Sequence, residues 1–243
     1  MNKSLRAILA LSWQSAAYGV GVIGSQLIVY LMLPFLTRYM PKEEYGAVSV
    51  IAALYAFLNT LTNAGLPPAT LRFYNDGQED ADKRLTLGSS QLLFFLYAAI
   101  PAIVIVLFSK PISWILLGSE RYGLALQLAA CFLILDSLNF YGTLILRIQV
   151  RPLIASIQNI ILIASEIGMA ILFVIIFRMG TAGYWLGFLT GELIGLLFTI
   201  WFVRKTIVFR VSRERILSLM KFGIPLIPAS LSMTALRIAA SVR

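Results

Sequence analysis

Apolar residues along this chain gather into blocks long enough to cross a bilayer. A helix needs about 20 predominantly apolar residues to traverse a hydrocarbon core about 30 Å thick. Seven blocks of roughly that length occur, at 12–36, 46–66, 87–109, 124–146, 153–177, 182–203 and 222–243. Charge, proline or glycine punctuates their ends: Arg38 to Pro41, Pro67-Pro68, Lys110-Pro111, Arg151-Pro152, and Arg178 to Gly180. The pattern predicts an all-α, polytopic helical bundle with six crossings and a chain that stops partway along, or at the end of, a seventh.

Two connecting segments are more than turns. The stretch 111–118, with Trp114 among Ile and Leu, is too short to cross and is expected to lie at the membrane interface. The stretch 204–221 carries six basic residues against the single acid Glu214, interleaved with Ile207, Val208, Phe209, Ile216 and Leu217. That is the pattern of a helix resting on an anionic leaflet; a purely topological anchor explains the same charges.

Composition agrees with the block pattern. Hydrophobic residues make up 59% of the 243, charged residues 13%, and mean hydropathy is +0.86, against about 25% charged residues in soluble domains. Lys and Arg outnumber Asp and Glu 20 to 11. The basic residues are scattered between apolar blocks, and with no nucleic-acid motif present their excess is assigned to topology, not to a nucleic-acid partner.

With the N-terminus inside, Lys3, Arg6, Arg72, Lys83, Arg84, Arg147, Arg151, Arg204, Lys205, Arg210, Arg213, Arg215 and Lys221 fall on the cytoplasmic side. Arg38, Lys42, Lys110, Arg121 and Arg178 fall outside. The first apolar stretch runs on to Leu36 with no small-residue cleavage pattern and is read as an uncleaved first span.

The chain has no histidine, which removes the commonest general base and metal ligand. The lone Cys131 lies in an apolar run, where it serves as a small packing residue. No zinc-protease, phosphate-loop or nucleophile-elbow motif occurs, so neither an enzymatic activity nor a cofactor is expected.

Charges inside the blocks carry the functional signal. Asp136, Glu166 and Glu192 lie near the middles of the fourth, fifth and sixth blocks, where an acid costs about 2.5–3.5 kcal/mol on the insertion scale. Such groups are expected to face the bundle interior or water, lining a polar cavity in which a carboxyl is protonated or binds a cation. The alternative is that each is neutral and bonded to a neighbouring helix through Gln158, Asn159, Ser165 or Thr190. Arg237, inside the seventh block, is a candidate contact for an anionic substrate or a partner for one of the acids. Gln14, Gln26, Asn59 and Asn63 add polarity to the first two spans, and Gly19, Gly21 and Gly24 permit close helix approach.

Several segments, in order, resemble the polysaccharide transporter, or Wzx-type O-antigen flippase, branch of the multidrug/oligosaccharidyl-lipid/polysaccharide exporter superfamily. They are the exit of the first span, from Leu33 through Arg38 to Tyr45-Gly46; the end of the second, from Asn63 through Gly65 to Arg72-Phe73-Tyr74; Met179 to Gly187; and Leu219 to Ser232, with Phe222-Gly223-Ile224-Pro225 at its centre.

The resemblance implies a MATE-like fold: a six-span lobe over 1–203, a basic amphipathic connection over 204–221, and over 222–243 the first helix of a second lobe. The chain would then be a truncated one, with Val242 where relatives carry an acid before an Arg equivalent to Arg243. The resemblance also implies flipping of undecaprenyl-pyrophosphate-linked oligosaccharide across the bacterial inner membrane for O-antigen and lipopolysaccharide assembly. In that setting Arg72 and Arg147 would attract the pyrophosphate, and the mid-membrane carboxylates would couple movement to protons or sodium. Rival readings are a multidrug or lipid II exporter, a glycan polymerase or glycosyltransferase, and a non-transporting remnant.

Overall fold

The computed structural model describes residues 34, 38–63, 65–149, 151–204, 206 and 210–228. The first predicted span, apart from Pro34, lies outside the described residues, as do Arg237 and all of the seventh block beyond Pro228. Eight α-helices are described: α1 Lys42–Asn63, α2 Leu66–Asp76, α3 Asp80–Leu107, α4 Ser109–Leu117, α5 Gly123–Ile148, α6 Pro152–Ile171, α7 Gly180–Val203 and α8 Arg213–Gly223. A 3₁₀ turn, Glu120–Tyr122, precedes α5, a π-turn, Leu172–Ile176, extends α6, and a second 3₁₀ turn, Ile224–Leu226, follows α8. Five stretches are long and apolar enough to cross a membrane: Lys42–Asp76, Asp80–Leu107, Glu120–Ile148, Leu153–Ile176 and Gly180–Val203. They coincide with the second to sixth predicted blocks, and the protein is a multi-pass membrane protein.

Two element ends depart from the sequence expectation for physical reasons. Pro67-Pro68, read as the close of a span, instead opens α2. Gly65, at φ 77°, breaks the preceding helix, and the prolines fall in the first turn of the next, where a missing N–H costs nothing. α3 begins at Asp80, seven residues before the predicted 87, with Asp82 also in its first turn. Acids at a helix N-terminus complement the macrodipole, and this polar turn carries no hydropathy signal because it lies beyond the apolar block. The interfacial segment 111–118 falls largely within α4, whose Trp114 and Ile115 are exposed.

The outward faces are apolar, as lipid contact requires. Ile100, Ile103, Val104 and Leu107 of α3 are exposed while Phe94, Ala98 and Ala102 of the same helix are buried. With apolar lipid outside, burying apolar surface does not drive helices together, so close packing of small residues must. α7 supplies it with a ridge of Gly183, Gly187, Gly191 and Gly195 at four-residue spacing. A Cβ at Gly187 would strike the backbone of Ala170, one at Gly191 the backbone of Glu166, and one at Gly195 the side chain of Leu162. α6 and α7 therefore lie backbone against backbone.

The two ends of the bundle are tied differently. At one, the Glu44 carboxylate accepts hydrogen bonds from the Thr181 amide (2.8 Å), the Thr181 hydroxyl and Arg121 (3.2 Å), joining α1, α7 and the 3₁₀ turn. At the other, α8 docks on α2 and α3. Gly223 lies against Gly65, Phe222 meets Phe73 edge-on with ring centroids 6.2 Å apart, and Arg215 pairs with Asp82 at 3.5 Å.

Candidate functional site

Glu166 and Glu192 face one another because of the glycine ridge. Gly191 lets the α6 backbone approach at Glu166 itself, so the next residue of α7, Glu192, projects into the same space. Glu192 is fully buried and Glu166 is 8% exposed. Glu192 Oε1 accepts from Asn139 Nδ2 of α5 at 2.9 Å. Its Oε2 is buried with no hydrogen-bond partner among the described residues.

Asn139 is the hub of this region. Its Oδ1 accepts from Gln158 Nε2 of α6 at 2.8 Å and from the Thr199 hydroxyl of α7 at 2.6 Å. Gln158 in turn accepts from the Thr143 hydroxyl at 2.9 Å. α5, α6 and α7 are thereby joined by one polar network in an apolar interior, where every unpaired group would cost about 1–3 kcal/mol.

Asp136 lies one turn before Asn139 on α5 and faces α1. Tyr55, Asn59 and Asn63 follow one another at four-residue intervals on a single face of that helix. The Tyr55 hydroxyl donates to Asp136 Oδ2 at 2.8 Å. Asn59 Nδ2 is shared between the same oxygen (2.6 Å) and the Tyr55 hydroxyl (2.7 Å). Asn63 donates to Asn59 Oδ1. The Tyr55 ring is fixed by Phe132, centroids 4.9 Å apart, and by Trp185 at 5.9 Å.

The structure thus brings Asp136, Glu166, Glu192, Asn59 and Asn63 into two adjoining clusters. It does not bring Arg72 or Arg147 to them. Arg72 is on α2, 3.7 Å from Asp76 and with its guanidinium 4.7 Å from the centre of the Phe222 ring. Arg147 is exposed in the last turn of α5, 11 residues and so about 16 Å along the helix from Asp136. Arg237 lies outside the described residues. Of the partners named from sequence for the acids, Gln158 is in the network, whereas Thr190 bonds to the Leu186 and Gly187 carbonyls of its own helix.

Sequence reasoning missed Tyr55 and Asn139. Both were detectable by helical spacing, Tyr55 four residues before Asn59 and Asn139 three after Asp136. Among the described residues no group of three His, Cys, Asp or Glu side chains is placed to hold a metal ion.

Comparisons with known proteins agree with this architecture. A MATE protein solved in complex with MaD5 superposes with a TM-score of 0.77 at 17% identity, over 91% of this chain and 53% of that one. A MATE in the straight conformation gives 0.73 at 18% identity, over 93% and 54%. A transporter of the MOP superfamily from Pyrococcus furiosus gives 0.69 at 17% identity, over 91% and 52%. The chain spans about half the length of these proteins. Comparison with curated protein sequences returns no match. The family profile described as polysaccharide biosynthesis protein matches residues 13–242, nearly the whole sequence, and the chain belongs to that family, with the fold seen in MATE transporters.

Proposed function

We propose that this chain takes part in flipping a lipid-linked oligosaccharide, of the undecaprenyl-pyrophosphate class, across the bacterial inner membrane, with its N-terminus in the cytoplasm. The observation that carries the reading is the family match over residues 13–242, joined to a fold whose interior holds buried carboxyls where apolar packing alone would suffice. A glycan and its charged pyrophosphate cannot enter hydrocarbon unaided. A polar seam inside a helical lobe that rocks against another can shelter them while the prenyl tail stays in lipid.

In this reading residues 1–203 form the first lobe, 204–221 the connection that includes α8, and 222–243 the start of a second lobe. Asp136 with Tyr55, Asn59 and Asn63 offers the polar face. Glu166 and Glu192 form a dry carboxyl pair suited to holding and releasing a proton as the lobe moves, and a sodium ion would have to displace that proton. Arg72 and Arg147, at the basic end, would meet the pyrophosphate before it enters, and Arg237 would meet it from the seventh helix.

Surface-polysaccharide display in a strain lacking its own flippase tests the proposal, using the chain within its full genomic reading frame. Restored display that disappears in an E166Q/E192Q double variant is expected. Display left intact by that variant rejects carboxyl coupling. Absence of display together with export of organic cations moves the substrate class to drugs.

A further inference from the structure

One helix carries a surface that the transport reading does not use. α8 buries Leu219 and Gly223 against the bundle, with Ile216, Met220 and Phe222 packed beside them. Its opposite face carries Arg213, Leu217, Lys221 and, just beyond the helix, Ile224. At 100° per residue these four positions fall within roughly 80° of arc, so cation and aliphatic side chain alternate along one stripe. Leu217 is 56% exposed and Ile224 48%. Neither Arg213 nor Lys221 makes an ion pair among the described residues. Of the acids at this end, Asp82 pairs with Arg215 and Asp76 with Arg72, Glu214 borders the stripe on one side, and Glu79 and Asp80 are exposed at the start of α3.

A second observation sets the depth of this stripe. α7 ends in Trp201, 64% exposed, with the Arg204 guanidinium 4.5 Å from its ring centre. An exposed tryptophan followed one turn later by arginine, at the end of an apolar helix, marks the level of the head groups. Arg215 of α8 pairs with Asp82 in the polar first turn of α3, outside the apolar block, which puts α8 at or just beyond that level.

We propose that the outward stripe of α8 is a docking surface for anionic phospholipid head groups. Arg213 and Lys221 contact the phosphates, and Leu217 and Ile224 enter the boundary between head groups and acyl chains. The proposal rests on the membrane fold alone and holds whatever solute is carried. Because α8 is docked on the bundle, the lipid meets a preformed face and the helix is not ordered by binding.

The test uses the full 243-residue chain, purified in detergent and titrated with short-chain phosphatidylglycerol or phosphatidylcholine, with bound lipid counted by native mass spectrometry. Preferential retention of phosphatidylglycerol is expected, weakening with added salt. Loss is about fivefold in affinity for each of R213Q and K221Q and about 25-fold for the two together. K110Q, at the other end of the bundle, should bind as the parent does. Equal retention of the two lipids, unchanged phosphatidylglycerol affinity in R213Q/K221Q, or full competition by millimolar inorganic phosphate would each overturn the proposal, the last by showing a site for free anion. A fold readout accompanies the variants: because both side chains point away from the bundle, their thermal midpoints in phosphatidylcholine should match the parent.

Discussion

Asp136 and the Glu166–Glu192 pair are all acids within membrane-spanning helices, yet they are held in opposite ways. Asp136 is partly accessible, and two donors from α1 converge on one of its oxygens. Glu192 is fully buried, takes one donor from Asn139, and leaves its second oxygen without a donor among the described residues. The first arrangement is a clasp in which the acid fastens α1 to α5. The second is a shortage of donors around a buried carboxyl. The contrast separates an acid held by donors from a neighbouring helix from one left short of them, a difference that hydropathy alone cannot make.

The sharpest way to break the pair is to push its two helices apart. G191V places a branched side chain against the Glu166 backbone and is expected to cost about 3 kcal/mol or more, read as thermal unfolding of the purified protein in lipid nanodiscs. The Asp136 clasp, probed by near-ultraviolet dichroism of Tyr55 and Trp185, should persist until global unfolding. N139L comes next. It strands Glu192 Oε1 and the Gln158 amide together, while the Thr199 hydroxyl keeps the Gly195 carbonyl, for an expected loss of about 2 kcal/mol in the same assay, within the range measured for polar contacts in membranes. An unchanged midpoint would show that the network relaxes to other partners.

Amide replacements sharpen the comparison through their sign. E192Q keeps the acceptor for Asn139 and puts an N–H in place of the oxygen that lacks a donor, so it should stabilise by about 1 kcal/mol. D136N keeps one oxygen for Tyr55 and Asn59 but loses the charge that strengthens both bonds, and should destabilise by about 0.5 kcal/mol. Destabilisation by E192Q would mean that the orphan oxygen has a partner. An effect similar in size to that of D136N, about 0.6 kcal/mol, is expected from Y55F, because Asn59 still reaches Asp136. A combined Y55F/N59A variant should then exceed the sum of the two, as members of one network do.

Much of the bundle was legible because hydrocarbon imposes a length on apolar blocks, and those from 46 to 203 each contain a described crossing helix. Outside the hydrocarbon, the segments of α4 and α8 could be read from their mixture of charged and apolar residues, but α2 and the start of α3 could not. The first turns of α3 and the whole of α2 are helical for reasons of dipole, proline geometry and docking that hydropathy does not register. The three acids were conspicuous by their cost, but their partners were not, since Tyr55 and Asn139 are unremarkable residue types until helix phase brings them to a carboxyl. The four glycines of α7 stand at regular spacing in plain view. Gly183 and Gly187 were read only as part of a segment resemblance, and that Gly191 sets the distance between two glutamates required the partner helix.

The meeting of Gly65 with Gly223 bears on the order in which the protein is made. The break after α1 leaves the ribosome early, but the backbone that covers it belongs to one of the last described elements, and a side chain at Gly65 would collide with the Gly223 carbonyl. Until α8 has been synthesised, the aromatic face of α2, with Phe73 and Arg72, has no Phe222 to receive it. The basic end of the bundle is therefore completed last, and a nascent chain arrested before residue 213 would present that uncovered surface to whatever accompanies it into the membrane.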